Sequence, residues 1–264
     1  MARTIAVVNQ KGGVGKTTTT VNLSASLASK AYKVLVIDID PQGNATSGLG
    51  VDKHGLDGSV YDLFCGTFQL STIITGTELP GLWVAPANGD LVGADLEIVS
   101  REGREGILKE HISRISSQFD YVLIDCPPSL GLLTVNALTA ADSLLIPLQC
   151  EYYALEGISS LIQTMEVAKA GLNPELDLEG VVLTMYDART NLSRQVEGEA
   201  RKHFGDSVFK TVIPRNVRLS ESPSFGKPIL LYDPNSIGSI AYKALADELT
   251  KKSFTRSEKQ VANF

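Results

Sequence analysis

The sequence is short of the residues that make several function classes easy to see. Its 264 residues include three cysteines, three histidines and one tryptophan, and aromatics make up only 6% of the chain. Cys65, Cys126 and Cys150 are widely separated and odd in number. They exclude a disulfide framework and a CxxC metal site, and they suit a reducing cytosol. His54, His111 and His203 fall in unrelated segments, so no histidine metal site is expected and surface positions are predicted for them. No stretch approaches the roughly 18 apolar residues of a membrane span. The first apolar run, Ile5 to Val8, is too short for a signal-peptide core. No Pro/Gly/Ser-rich linker, internal repeat or low-complexity tract divides the chain. One domain over residues 1–252 is expected, followed by a flexible polar tail over 253–264.

Short runs rich in Val, Ile and Leu recur instead: Ile5–Val8, Val34–Ile37, Leu82–Val84, Tyr121–Ile124, Leu144–Ile146 and Val181–Leu183. They lack strict polar alternation, as strands covered on both faces do. Segments with helical spacing lie between or after them, at Thr17–Ala28, Gly103–Ser117, Gly157–Ala170, Leu192–Phe204 and Ser236–Leu249. Alternating strand and helix predict an α/β fold, a doubly wound and mostly parallel sheet with helices on both faces.

The first strand runs into Lys11-Gly12-Gly13-Val14-Gly15-Lys16-Thr17-Thr18. The general phosphate-loop pattern asks for a glycine where this chain has Gln10, so the strict pattern fails. The glycines still fall where a tight turn can aim backbone N–H groups at phosphates. Lys16 offers a point charge at the start of the helix, and Thr17 offers a hydroxyl to Mg²⁺. Asp38 and Asp40 end the second strand and Asp125 ends the fourth, at the edge where doubly wound sheets bind ligands. A single Asp in such a place commonly caps a helix or shapes a turn. Three beside one phosphate loop point to a metal–nucleotide site, with Asp125 holding Mg²⁺ through water and Asp40 orienting the attacking water.

The extra lysine at Lys11, Asp38-Ile39-Asp40-Pro41-Gln42-Gly43-Asn44 and Asp125-Cys126-Pro127-Pro128-Ser129 resemble the deviant Walker A family of ATPases. So do three longer stretches, Cys150–Gly157, Leu183–Thr190 and Ile213–Glu221, which resemble its ParA/Soj chromosome-partitioning members. The similarity spans residues 3 to 250. It implies the P-loop NTPase fold, ATP and Mg²⁺ as ligands, and ATP hydrolysis. It further implies an ATP-bound homodimer in which Lys11 reaches the partner subunit's phosphates. Gly12 would allow the two loops to approach closely. Met185, Pro214 and Asn216 match positions around the adenine, and Arg189 and Arg218 match positions that contact DNA non-specifically. A ParB-type partner would stimulate hydrolysis, and the protein would be cytoplasmic and nucleoid-associated.

The formal charge is −6, which at first argues against a polyanion as partner. It is uneven: residues 1–183 hold 11 basic and 21 acidic side chains, net −10, and residues 184–264 hold 13 and 9, net +4. A scattered solvated surface accounts for the same residues, and nothing suggests base readout. Because the phosphate loop begins at Lys11, no preceding helix-turn-helix operator reader is expected. Two rival readings differ in class. A MinD-like membrane-associated division ATPase should end in a basic amphipathic helix, and Lys251–Phe264 lacks a sustained apolar stripe; no stable membrane association is expected. A biosynthetic relative that activates a small carboxylic acid with ATP would need a substrate pocket. Cys126 is expected to be a buried thiol, Trp83 a core residue, and Glu151 and Glu156 either groove-lining or solvated.

Overall fold

All six apolar runs form parallel strands, and a seventh, antiparallel strand joins them at one edge. The computed structural model describes residues 2–151 and 154–261, with side chains described over 2–151 and 162–252. The strands are β1 (Arg3–Val7), β2 (Val34–Asp38), β3 (Thr75–Gly76), β4 (Leu82–Ala85), β5 (Tyr121–Asp125), β6 (Ser143–Gln149) and β7 (Asp177–Thr184). Their order in the sheet is β3-β4-β2-β5-β1-β6-β7. Every residue of β2 and β5 is buried, because both faces of the sheet are covered.

The period of two along each strand splits the core into two layers. Ile5 and Val7 pack with Leu23, Leu27, Tyr242 and Leu245, under helix α1 (Lys16–Ala28) and the C-terminal helix (Ile237–Val261). Ala6 and Val8 pack on the opposite face with Leu108, Ile112, Ala137 and Leu138, under the helices Ile107–Ile115 and Leu132–Ala140. All the parallel strands run the same way, so their C-terminal ends gather the loops after Val7, Asp38, Asp125 and Thr184 along one edge.

Several local expectations differ from the structure. The edge strand β3 is two exposed residues and carries no apolar run. The helix Leu132–Ala140 leaves no periodic signal in the sequence, because Thr134, Asn136 and Thr139 are buried along with Leu133, Ala137 and Leu138 and no polar face sets a period. The helix expected over Gly103–Ser117 is an α-helix over Ile107–Ile115, with 3₁₀ turns at Arg104–Gly106 and Ser116–Gln118. The C-terminal helix runs past Leu249 to Val261. Residues 262–264 of the expected tail lie outside the described residues, as do Tyr152 and Tyr153 and the side chain of Glu156.

His111 is buried rather than on the surface, and its Nδ1 accepts from the Leu70 backbone N–H at 3.4 Å. It lies on the inner face of an amphipathic helix, where position decides burial whatever the residue. Cys126 is fully buried, as expected, and Trp83 is partly buried edge-on against Phe119. Among the described residues, no helix is long and apolar enough to cross a membrane.

Candidate nucleotide-binding site

The turn between β1 and α1 is held open from both sides. Asn9, buried at the end of β1, donates from its amide to the Pro147 carbonyl at 2.8 Å and accepts from the Lys11 N–H at 3.0 Å. On the other flank, Thr184 at the end of β7 donates its hydroxyl to the Val14 carbonyl at 2.8 Å. Gly13 and Gly15 take φ values of +74° and +91°, a backbone that a side chain strongly disfavours. Asn9 and Thr184 are the supports that sequence reasoning missed. Both are ordinary polar residues at strand ends, and only the assembled sheet brings them to the turn.

Lys16 begins α1 and is 93% buried. Among the described residues its ammonium has a single hydrogen bond, to the Lys11 carbonyl at 3.2 Å. Burial pulls its pKa down, and Asp125 is the largest charge opposing that shift. A buried cation this poorly partnered, facing a cleft of about 570 Å³ that the loop glycines help to line, suits a phosphate.

Asp125 is fully buried at the end of β5. Its two oxygens accept from the hydroxyls of Thr17 and Thr20, each at 2.8 Å. Burial and then the charge of Asp38 push its pKa up to about 8. Asp38 stands opposite it in the sheet register. Asp38 accepts from both the N–H and the hydroxyl of Thr46 at 2.8 Å, and burial pushes it up to about 6. Asp38 is therefore a structural anchor for the segment after β2. Asp40 differs: it lines the cleft, and one oxygen accepts from the Gln42 N–H at 2.9 Å. Two carboxylates and the Thr17 hydroxyl thus converge where a phosphate-bound cation would sit. Among the described residues no all-protein metal cluster forms.

The far end of the cleft is lined by Met185, Pro214 and Asn216. Met185 takes φ +49°, a strained value for a residue with a side chain. The segment Ile213–Arg215 extends the β7 edge, with the Tyr186 N–H donating to the Ile213 carbonyl at 3.0 Å and the Arg215 N–H to the Tyr186 carbonyl at 3.1 Å. Asn216 uses its side-chain oxygen to cap the Arg218 N–H at 2.8 Å, which leaves its amide NH₂ for the cleft.

Lys11 does not enter the cleft. Its ammonium pairs with Glu151 at 3.4 Å. Thr18 lines the cleft, and Val14 is buried beneath the turn. Arg189 and Arg218 lie outside it on the two adjoining segments, and each is held by carboxylates: Arg189 by Asp187 at 2.8 Å, Arg218 by Glu221 at 2.9 Å and Asp233 at 3.5 Å.

Comparison with known proteins places this geometry. An AAA domain family model matches residues 2–178. The chain is 56% identical over 249 residues to the sporulation initiation inhibitor protein Soj of Bacillus subtilis, covering 94% of this chain and 98% of that protein. It is 52% identical over 260 residues to the chromosome partitioning protein ParA of Myxococcus xanthus, covering 98% and 92%. Among solved structures, the cobyrinic acid a,c-diamide synthase of Mycobacterium smegmatis with bound ADP and magnesium is 39% identical. It superposes with a TM-score of 0.84 over 95% of each chain. On these identities over nearly the full length of both chains, the chain belongs to the ParA/Soj family of chromosome-partitioning P-loop ATPases.

Proposed function

We propose that the chain is an ATP-driven partition switch. Two ATP-bound copies pair face to face, the pair holds double-stranded DNA by its backbone, and hydrolysis stimulated by a ParB-type partner releases it. The observation that carries this reading is the division of labour between two lysines. Lys16 already supplies the buried cation of its own loop, whereas the Lys11 ammonium stands outside the cleft, partly exposed and, among the described residues, paired with Glu151. A Cβ at Gly12 would meet nothing within 4 Å in the single chain, and Gly12 has no left-handed φ. Its bareness suits the close approach of a second loop.

In this mechanism the backbone N–H groups of Gly13 to Thr17 and the ammonium of Lys16 hold the ATP phosphates. Thr17, with Asp125 behind it, would hold Mg²⁺, which supplies charge neutralisation of the phosphate oxygens. Asp40 orients the attacking water, and the amide of Asn216 meets the base edge between Met185 and Pro214. Lys11, released from Glu151, adds the partner's charge at the γ-phosphate and so couples hydrolysis to pairing. Arg189 and Arg218 hold DNA phosphates. A single chain of net charge −6 grips DNA weakly, so binding depends on pairing two modest surfaces. The protein then works in the cytoplasm on the nucleoid.

The test is a mobility shift on an arbitrary duplex. Retention is expected with ATP and not with ADP or without nucleotide; equal retention in all three overturns the reading. Lys16→Ala should lose ATP binding in calorimetry, and Asp40→Ala should remain a DNA-bound pair in ATP. The similarity to the Mycobacterium smegmatis protein supports a second reading, an ATP-dependent amidation of cobyrinic acid. ATP-dependent formation of the a,c-diamide from cobyrinic acid would establish it.

A further inference from the structure

The turn that carries Asp40 is closed by three hydrogen bonds within the segment after β2. The Asp40 N–H donates to Asp38 Oδ1 at 3.1 Å, the Gln42 N–H to Asp40 Oδ1 at 2.9 Å, and the Gly43 N–H to the Asp40 carbonyl at 2.9 Å. One carboxylate oxygen of Asp40 is thus spent on the turn itself. The lie of the turn therefore sets where the carboxylate points in the cleft that Asp40 and Gln42 both line.

The inner side of this turn rests on the core. Thr46 bonds Asp38 through its N–H and hydroxyl and accepts from the Ala87 N–H at 2.9 Å. Gly43 is buried beside it at φ +60°, where a Cβ would lie 2.7 Å from the Ala87 carbonyl. The outer side is held by a side chain from beyond the segment. Lys53 donates its ammonium to the Gln42 carbonyl at 2.8 Å, and its Cδ lies 3.1 Å from where a Gly43 Cβ would stand, so the lysine stem covers the turn at its barest point. The neighbouring Asp52 carboxylate is turned to the His54 N–H instead. Among the described residues, the Gln42 carbonyl is the only hydrogen-bond partner of that ammonium. The Gln42 carbonyl and the Gly43 N–H are opposite ends of one planar amide. The lysine thus pulls at one end of the unit whose other end donates to Asp40, and each bond polarises the next.

We propose that Lys53 is a positioning residue for ATP hydrolysis, one that stands outside the cleft and fixes the Asp40–Gly43 turn so that the Asp40 carboxylate stays aimed at the attacking water. This rests on the reading of Asp40 as the group that orients that water. Orientation of a nucleophile is sensitive to small displacements, whereas the hold on the ATP phosphates belongs to the Gly13–Thr17 turn on the other side of the cleft. Loosening the Asp40 turn therefore slows turnover and leaves ATP binding alone.

The test is phosphate release by the full chain in ATP and Mg²⁺. Lys53→Met keeps the stem over Gly43 and removes the donor. Its kcat should fall about three- to fivefold, with KM and the melting temperature unchanged, and Lys53→Arg should regain most of the turnover. In single-turnover hydrolysis by Asp40→Ala, adding Lys53→Met should cost nothing further. Wild-type turnover in Lys53→Met, a loss that appears equally in KM or as early melting, or no recovery with arginine overturns the proposal. A further loss in the Asp40→Ala background shows that the lysine acts on the phosphates directly and overturns it as well. Wild-type turnover in Asp40→Ala overturns the reading of Asp40 itself, whereas a slow Asp40→Ala beside a normal Lys53→Met overturns only the role of Lys53.

Discussion

The ammonium of Lys11 lies 3.4 Å from the carboxylate of Glu151, across the mouth of the turn that Lys11 begins. Glu151 also accepts from the Gln149 side-chain amide, so the carboxylate keeps a second partner when the lysine leaves. Both side chains are more than a third exposed, at 36% and 47%, and such a pair is worth no more than about 1 kcal/mol. That is weak enough to be exchanged for a phosphate. Glu151→Gln should therefore tighten ATP-dependent pairing by up to about fivefold, measured by sedimentation velocity across a concentration series. Weaker pairing would show that Glu151 contributes to the paired state instead of holding Lys11 back from it.

Asp125 gives the nucleotide-free protein a definite pH dependence. Burial raises its carboxyl from 3.8 to about 8, so the fold favours the protonated form. At pH below the unfolded value both states keep the proton and nothing is gained or lost. Above it the unfolded chain releases the proton while folded Asp125 retains it, so stability falls as pH climbs from about 4 towards about 8. Asp38, raised to about 6, adds to the lower half of that window. Thermal melts at pH 5 and pH 8 should show a larger loss for the wild type than for Asp125→Asn. Equal losses would contradict the assignment.

Thr184 tests whether the turn needs its outer support. Thr184→Val keeps the shape but removes the donor to the Val14 carbonyl, a loss of about 1–2 kcal/mol. If that falls on the nucleotide-ready turn, ATP affinity drops roughly tenfold while the melting temperature moves little. A variant that melts early but binds ATP normally would make Thr184 a purely structural residue.

Arg189 and Arg218 must leave carboxylates before they can hold phosphates. The Arg189 hydrogen bonds pull Asp187 down to about 2, so that pairing persists at every working pH and DNA must compete with it. The double variant Arg189→Glu and Arg218→Glu should still pair in ATP but lose random duplex DNA. With about three phosphate contacts per subunit, the wild-type pair should show a slope of about −5.4 in log affinity against log salt, and a single subunit about −2.7. A double variant that binds like wild type would exclude both arginines from the DNA surface.

Much of the site was legible because its chemistry is local in sequence. Lys11 to Thr18 is contiguous, and Asp38, Asp40 and Asp125 each close an apolar run, so strand ends and carboxylates are read together. The six parallel strands were legible for a related reason, since burial on both faces leaves a run of Val, Ile and Leu. What escaped notice depends on assembly. Leu132–Ala140 is a helix surrounded by protein, so it shows no polar face to set a period. Asn9 and Thr184 act through carbonyls on other segments, and His111 owes its burial to the side of the helix it occupies.

The short ladder between Tyr186 and the Ile213–Arg215 segment has a mechanical consequence. Arg189 lies three residues beyond Tyr186, and Arg218 three residues beyond Arg215. Two backbone hydrogen bonds clamp the bases of both segments to each other. Neither arginine is mounted independently. The two arginine-bearing segments therefore share one base, and that base is the cleft wall at Met185 and Pro214.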